Sequence, residues 1–487
     1  MKKAVKYILC VALFAVMCAI GVSADVVSGQ CGDDAYWELD TNTGELIISG
    51  SGDMWDFDRY DWSEDLNTRP WGDPNCSDIP DYSSQITKVR VGESITSIGD
   101  YSFAGCGNLV SAELGESVIE IGESAFEYCS ITTISLPESL EVIDYWAFAC
   151  TDLTAIRFPS NVKVLNDYAF FDCYLLETIE LPASIEILGQ GTFHNIGTYF
   201  VVDDNNDNYC SIDGVIYSKD LNVLMVYPSQ NIATEFVVPD CVEIIGTEAF
   251  SDSQYLEHIT LNESLKGIME YAFQCYALES IYIPSAVEVI ETYAFQNCHL
   301  LESIIVAPDN AYYYSDNQGV LYSKDKKELI KYPDNKNLEE YTIVNGCQVI
   351  KEGAFYCAYQ LKTVIIPDTV QEIQYGAFLY SDNLEKVYFC GDCPWIDDDV
   401  FYARINDETG SDTVDIYHKE GTRGWDALCF ETYKNSKAFR INELSVHDPV
   451  WDLLPESTGS SAHNSFIPIF VVVVILIILV LAIVITF

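Results

Sequence analysis

A repeat of 22 to 23 residues is the feature that most constrains how this chain can fold. Phenylalanine recurs in phase along the sequence, and most copies follow an alanine. The in-phase positions are Phe103, Phe126, Phe148, Phe170, Phe193, Phe250, Phe273, Phe295, Phe355 and Phe378. A fixed period of this length is typical of solenoids, in which each coil buries its apolar side only against its neighbours. The sequence therefore predicts stacked coils with the phenylalanines forming a continuous spine.

A second apolar pattern lies between the phenylalanines, with apolar residues spaced three and then two apart. Examples are Leu176-x-x-Ile179-x-Leu181 and Leu278-x-x-Ile281-x-Ile283. The final alternation predicts a half-buried strand, and the proline that often follows would end it. We expect each phenylalanine to lie in a short helical or 3₁₀ turn that closes the coil.

Two long steps interrupt the period, from Phe193 to Phe250 and from Phe295 to Phe355. Both contain the text Gly-Val-x-Tyr-Ser-Lys-Asp, at 214–220 and 319–325, followed by a second apolar run. Two strands joined by a Ser-Lys-Asp turn form a β-hairpin. The sequence thus predicts hairpin-bearing variant repeats near 200–240 and 306–345.

The two ends of the chain differ from the repeats. Residues 1–24 carry three lysines, an apolar run and a small-residue ending, which predicts a signal peptide. Residues 25–88 are interpreted as a Trp-rich β cap, 89–395 as the solenoid, 396–451 as a C-terminal cap and 452–465 as a polar stalk. The uncharged segment 466–487 predicts a transmembrane helix, with a lipid-anchor signal as the alternative.

The repeat text resembles the BspA-like, Treponema-type leucine-rich repeats: Ala-Phe, often Cys, then Leu-x-x-Ile-x-Leu-Pro, then Val-x-x-Ile. The resemblance covers about residues 85–395, and Cys31-Gly32 with Trp37 is similar to the N-terminal cap of such proteins. It implies a mainly β leucine-rich-repeat solenoid on a surface or secreted protein. It also implies adhesion to a host or neighbouring-cell protein or glycan.

The residue between the last two apolar positions of each strand is expected to point away from the core. This column reads Glu113, Ser135, Arg157, Glu180, Thr260, Tyr282, Ile305, Ile365 and Tyr388. It becomes apolar in the C-terminal half, and an exposed apolar stripe marks a partner site. We therefore predict Tyr282, Ile305, Ile365 and Tyr388 as ligand-binding residues. The alternative is that the inserted hairpins or the C-terminal cap cover them.

Catalysis finds little support in the sequence, which predicts a binding protein without cofactor or metal. The six histidines are scattered and no nucleophile motif occurs. The net charge of −50 disfavours nucleic-acid partners. Cys390-Gly-Asp-Cys393 has redox spacing, so an extracellular thiol oxidoreductase is one alternative, and a passive acidic coat protein is another. The oxygen-rich run 203–208 favours a solvated turn over a Ca²⁺ site.

Cysteines and sequons complete the candidates. Seven cysteines follow a spine phenylalanine by two or three residues, a position that predicts buried small apolar side chains. They are Cys106, Cys129, Cys150, Cys173, Cys275, Cys298 and Cys357. A disulfide between Cys31 and Cys76 is plausible in the N-terminal cap. Asn75 and Asn262 begin glycosylation sequons, and Asn262 is expected in an exposed turn after a strand.

Overall fold

Each repeat forms one coil of a β-solenoid, and consecutive coils stack through two parallel ladders of short strands. The computed structural model describes residues 26–58, 69–72, 81–397, 399–401, 413–425 and 438–444. Within a coil, one strand carries the Leu-x-x-Ile-x-Leu pattern and the other carries the short Val-Ile pair that follows the proline. The apolar spacing therefore sets where each strand of a coil lies.

The N-terminal part begins with an antiparallel cap that starts both ladders. Its strands are β1 (Val26–Gln30), β2 (Asp34–Asp40), β3 (Glu45–Asp53), β4 (Lys88–Val91), β5 (Ile95–Ile98), β6 (Ser111–Glu113), β7 (Glu120–Ile121), β8 (Thr133–Ser135), β9 (Val142–Ile143), β10 (Val164–Leu165), β11 (Thr178–Leu181), β12 (Ile187–Leu188) and β13 (Tyr199–Val202), with a 3₁₀ turn at Ser83–Gln85. Strand β3 pairs in parallel with β4 through 45–48 and with β5 near Gly52. One long strand thus pairs with the first strand of each parallel ladder.

The middle part contains the first hairpin-bearing coil. Its strands are β14 (Tyr209–Ile212), β15 (Val215–Ser218), β16 (Val223–Val226), β17 (Glu235–Val237), β18 (Ile244–Ile245), β19 (His258–Thr260), β20 (Gly267–Ile268), β21 (Ser280–Ile283), β22 (Val289–Ile290) and β23 (Ser303–Val306). Strands β14, β15 and β16 are antiparallel, and β16 joins the parallel ladder through β18. Asp213 and Gly214 both have positive φ in the first turn, as tight hairpins require. The sequence had indicated two strands here, and the structure has three.

The C-terminal part repeats this arrangement. Its strands are β24 (Tyr313–Ser315), β25 (Leu321–Ser323), β26 (Glu328–Lys331), β27 (Glu340–Thr342), β28 (Val349–Ile350), β29 (Thr363–Ile366), β30 (Glu372–Ile373), β31 (Lys386–Phe389), β32 (Trp395–Ile396), β33 (Thr413–Lys419) and β34 (Ala438–Leu444). Strands β24 to β26 form the second meander. Strands β33 and β34 pair in parallel after β31, so the ladder continues past residue 395.

The aromatic spine is confirmed, and it includes residues other than the ten in-phase phenylalanines. Ring centroids of successive phenylalanines are 5.2 Å apart for Phe103 and Phe126 and 5.3 Å apart for Phe250 and Phe273. Trp71 extends the stack at its start, 5.5 Å from Phe103. Tyr227 continues the spine at the first hairpin coil, with its ring centroid 5.2 Å from that of Phe250 and the two rings tilted by 31°. The two hairpin coils separate the buried apolar residues into three clusters.

The segments around the spine phenylalanines are turns, whereas the sequence had predicted short helical or 3₁₀ turns. Around Phe126, Ser124 (φ 51°) and Tyr128 (φ 58°) are left-handed. The N–H groups of Ser124, Phe126 and Tyr128 donate to carbonyls of the next coil. Those of Ala125 and Glu127 donate to carbonyls three residues back in the same coil. Because every second N–H leaves the coil, the i to i−4 ladder of an α-helix cannot form.

The predicted fold class is therefore wrong in its helices. The described ranges contain no α-helix, and no helix among them is long and apolar enough to cross a membrane. A bilayer span needs roughly 20 helical residues. The longest described element is instead the strand β3, with 9 residues. The segment 466–487, to which the transmembrane helix was assigned, lies outside the described residues, as do 1–24 and 452–465.

Candidate binding surface

The parallel register of strands β17, β19, β21 and β23 brings one exposed row of side chains together. We define the central row as Val237, Thr260, Tyr282 and Ile305. Val237 pairs with Thr260, and Tyr282 pairs with Ile305, on adjacent strands. With about 4.8 Å between strands, the row is about 14 Å long.

The central row is exposed because side chains alternate across a pleated sheet. Tyr282 is 46% exposed, Ile305 is 50% exposed and Val237 is 69% exposed. Their neighbours Ile281 and Ile304 are buried in the core. Sequence reasoning missed Val237, although Phe236-x-Val238-Pro239 has the same apolar alternation and proline as the other strands.

The other two predicted residues do not join this row. Ile365 lies at the equivalent position of β29, but it is only 1% exposed. Tyr388 on β31 is half-buried and stacks on Tyr417 at 4.8 Å. Both belong to a separate sheet, formed by β27, β29, β31, β33 and β34, that the second hairpin coil divides from the central row. The structure therefore brings Tyr282 and Ile305 together, and it removes Ile365 from the exposed stripe.

The N-terminal part of the same face is polar and its charges are partly paired. Glu113 accepts hydrogen bonds from Lys88 Nζ at 2.7 Å and from Arg90 Nε at 3.0 Å. These bonds hold the pKa of Glu113 below its usual value. Ser135, Arg157 and Glu180 are exposed, but 153–158 forms no strand, so the ladder is broken there. This region lacks the apolar character of the central row.

The cysteine column lies between coils, as buried small side chains. Six of its seven members are at most 4% exposed, and Cys150 is half-buried. Cys173 Sγ donates to the Phe148 carbonyl at 3.0 Å, and Cys298 Sγ donates to the Phe273 carbonyl at 2.8 Å. The thiol therefore satisfies a spine carbonyl of the preceding coil, a role that sequence spacing did not indicate.

Burial raises the thiol pKa of two further cysteine candidates, Cys390 and Cys31. Cys390 directly follows strand β31, and burial raises the pKa of its thiol to about 12. A redox nucleophile needs the opposite shift, because the thiolate is the reactive form. Cys31 is a buried free thiol, and burial raises its pKa to about 12. The predicted bridge from Cys31 is thus not present in the structure, and Cys76 lies outside the described residues.

Asn262 is not the exposed sequon that the sequence indicated. It is 7% exposed, and its Nδ2 donates to the carbonyls of Pro239 (2.7 Å) and Val242 (2.9 Å) in the preceding coil. Its Oδ1 accepts the Ser264 N–H at 2.7 Å. The side chain is held inside the stack because it satisfies backbone groups left by the turn. Asn75 lies outside the described residues.

The run 203–208 is a hydrogen-bonded turn. Asp203 Oδ1 accepts the backbone N–H of Asn205 at 2.8 Å and its side-chain amide at 2.9 Å. Asn206 is buried and donates to carbonyls of the preceding coil, as Asn262 does. Across the described ranges, no group of three His, Cys, Asp or Glu side chains could hold a metal ion.

Comparisons with known proteins agree with this architecture. A family model described as a BspA type leucine-rich repeat region matches in 6 copies, over residues 81–198, 227–319 and 331–408. The first gap, 199–226, contains strands β14 to β16 of the first hairpin coil, and the second gap, 320–330, contains β25 and most of β26. The matched residues make up more than half of the chain.

Solved structures are similar over most of the chain. A leucine-rich repeat protein from Eubacterium ventriosum is 21% identical, with a TM-score of 0.57 over 90% of this chain and 98% of that chain. The pneumococcal vaccine antigen PcpA is 18% identical, with a TM-score of 0.41 over 86% and 99%. A leucine rich cell surface protein from Faecalibacterium prausnitzii is 19% identical, with a TM-score of 0.34 over 89% and 98%. The first of these supports the solenoid fold. No curated protein matches the sequence.

Proposed function

Because the chain belongs to the BspA-type leucine-rich-repeat family, we propose that it is a cell-surface recognition protein that binds a protein or glycan partner through its solenoid. The matched family consists of repeat proteins and is not an enzyme family. Stacked coils offer extended surfaces that repeat proteins use for binding. Fold alone does not identify a function, so the proposal rests on an exposed surface of the solenoid.

The central row is the observation that carries this proposal. Tyr282 and Ile305 are directly paired and about half exposed, and Val237 extends the row. Aromatic and aliphatic side chains in a row exclude water when a partner covers them, and tyrosine is enriched at such contacts. A tyrosine ring also stacks on apolar faces of sugars, so the row suits both partner classes.

The proposal is tested with the double variant Tyr282→Asp/Ile305→Asp in a cell- or matrix-binding assay of the full chain. We expect binding to fall about ten-fold or more, because two contact residues become charged. The matched control is Tyr199→Asp/Val201→Asp, which makes the same kind of change at exposed positions of β13. Equal losses in both variants, or none in the first, would contradict the role of the central row.

The two alternative functions give different results in the same experiments. A passive acidic coat protein would show no saturable binding to cells or matrix. A thiol oxidoreductase would reduce insulin and would lose that activity in Cys390→Ser. The raised pKa of Cys390 argues against the second alternative.

A further inference from the structure

The two hairpin coils leave two cavities on the side of the solenoid formed by the Ala-Phe turns. At each hairpin coil the meander takes the place of one such turn, and a tyrosine reaches across the gap to a glutamate. Tyr168 contacts Glu248 across the first gap, and the Tyr293 hydroxyl donates to Glu352 Oε1 at 2.8 Å across the second. The first cavity has a volume of about 210 Å³ and the second about 640 Å³.

The first cavity is lined by buried polar groups that lack hydrogen bonds. The Tyr227 hydroxyl and the Ser251 hydroxyl have no partner, although these residues are only 3% and 6% exposed. Glu248 Oε2 has no hydrogen bond either. Its nearest cation is His194 Nδ1 at 3.4 Å, which is an ion pair without hydrogen-bond geometry. Buried polar groups are nearly always paired in proteins, so the two hydroxyls indicate a missing partner.

The charge of this cavity is not balanced by His194. Burial alone would lower the pKa of His194, but its contacts with Asp252 and Glu248 outweigh burial and raise it to about 9. His194 Nε2 lies 2.5 Å from Asp252 Oδ2. One imidazolium therefore faces two carboxylates, Glu248 in the cavity lining and Asp252 beside it, and these three groups together carry a net negative charge.

The second cavity is more acidic and is also lined by tyrosines. Its carboxylates are Glu270, Glu288, Glu291, Glu328 and Glu352. Its lysines are Lys331 and Lys351, of which Lys331 is tied to Asp334 at 2.6 Å. Burial and the nearby Glu291, Glu352 and Glu248 raise the pKa of Glu270. Glu248 lines the first cavity, and its charge helps to raise the pKa of Glu270 in the second. The carboxylates of the two cavities therefore interact electrostatically.

We propose that the two cavities and the carboxylates Glu248, Glu270 and Glu291 form one site, the turn-side groove, which binds the lysine side chains of a basic peptide segment. An ammonium group has three donors, and the first cavity is lined by the Glu248 carboxylate, which shares His194 with Asp252, and by Ser251 and Tyr227, whose hydroxyls have no partner. Drug-sized ligands need about 300 Å³ or more, so the smaller cavity suits a single side chain. The apolar Val223 and Met225 line its wall and fit a lysine stem.

The larger cavity suits further cationic groups of the same segment. Tyr293, Tyr312 and Tyr313 line it beside the glutamates, and ammonium groups bind both carboxylates and aromatic faces. This site lies on the turns and does not include the central row. A negative result for this site would therefore leave the proposed function unaffected.

The test measures binding of fluorescein-labelled hexalysine to the full chain by anisotropy, at about 0.15 M salt to screen distant charges. The groove variant is Glu248→Gln/Glu270→Gln/Glu291→Gln. The control is Glu257→Gln/Glu279→Gln/Glu302→Gln, which removes the same charge from exposed positions before β19, β21 and β23. We expect the groove variant to bind about ten-fold more weakly and the control to stay within about two-fold of the parent. Equal losses, or no binding by the parent, would overturn the proposal.

A single-atom variant tests the first cavity alone. Tyr227→Phe removes one orphaned hydroxyl and places a phenylalanine in the spine, as in the regular coils. We expect hexalysine binding to weaken several-fold while the urea midpoint stays the same or rises, because an unpaired buried hydroxyl is removed. Unchanged binding would refute the ammonium site. Competition by spermine or Ca²⁺ as effective as that by hexalysine would also overturn the peptide assignment, since a free cation would then suffice.

Discussion

Two isoleucines at the same position of the repeat are expected to respond oppositely to substitution by aspartate. Ile305 on β23 is 50% exposed, and Ile365 on β29 is 1% exposed. Both lie between two core residues of a parallel strand, so their local sequences do not distinguish them. The two isoleucines differ only in the residues that surround them in the folded chain.

The magnitude follows from burial. Ile365→Asp loses the burial of an isoleucine side chain, about 1.5–3 kcal/mol, and it also buries a carboxyl group without a cation. The second cost brings the total to about 4–5 kcal/mol or more, even if the carboxyl group is protonated. Ile305→Asp changes an exposed side chain, so it costs about 1 kcal/mol, chiefly through strand propensity. That propensity cost applies equally to both variants and cancels in the comparison.

The assay is urea unfolding of the full chain at neutral pH, followed by circular dichroism and by limited proteolysis. Ile365→Asp should lower the unfolding midpoint strongly, whereas Ile305→Asp should leave it nearly unchanged. Ile365→Val is the control for a small loss of volume and should cost about 0.5–1.5 kcal/mol. If the two aspartate variants unfold within about 1 kcal/mol of each other, then Ile365 is not buried. The four-residue stripe expected from the sequence would then be restored.

Three further predictions concern a spine ring, a buried thiol and the His194 ion pair. Phe273→Ala should cost about 3–5 kcal/mol in urea unfolding, because its ring is buried between two spine neighbours, and a cost under about 1 kcal/mol would contradict the spine. Cys298→Val should cost about 1–3 kcal/mol more than Cys298→Ser, since only serine can still donate to the Phe273 carbonyl. Equal stability of these two variants would mean that the thiol bond contributes nothing. The pKa of His194 is raised from 6.5 to about 9, so its stabilisation is complete below pH 6.5 and is lost as pH rises through about 9. The pKa of its partner Asp252 is lowered, so that contribution is lost only as pH falls through the acid range. Between about pH 7 and about pH 10 the melting temperature of the parent should therefore fall more than that of His194→Gln, and parallel profiles would exclude the pair as the cause.

The sequence by itself determined the repeat, and with it the family and the stacked β coils. The reason is that apolar spacing acts locally: Leu278, Ile281 and Ile283 must all face the core if the strand between them is to bury its apolar side. The same spacing located the Ser-Lys-Asp turns, because turn chemistry depends on neighbouring residues. It did not identify Tyr227 as a member of the spine, although this residue lies 23 residues before Phe250, because Tyr227 is neither a phenylalanine nor preceded by alanine.

The tertiary structure decided which of the repeated positions are available. Asn262 and Cys298 face groups of the preceding coil, at least 20 residues away in sequence, and their hydrogen bonds exist only once the coils stack. Ile305 and Ile365 share one sequence pattern, yet only one remains exposed. The cavities arise where a hairpin replaces a turn, so that Tyr168 meets a glutamate 80 residues further on. Local periodicity places a side chain on a face of its own coil, but burial, pairing and cavities depend on what the rest of the chain brings to that face.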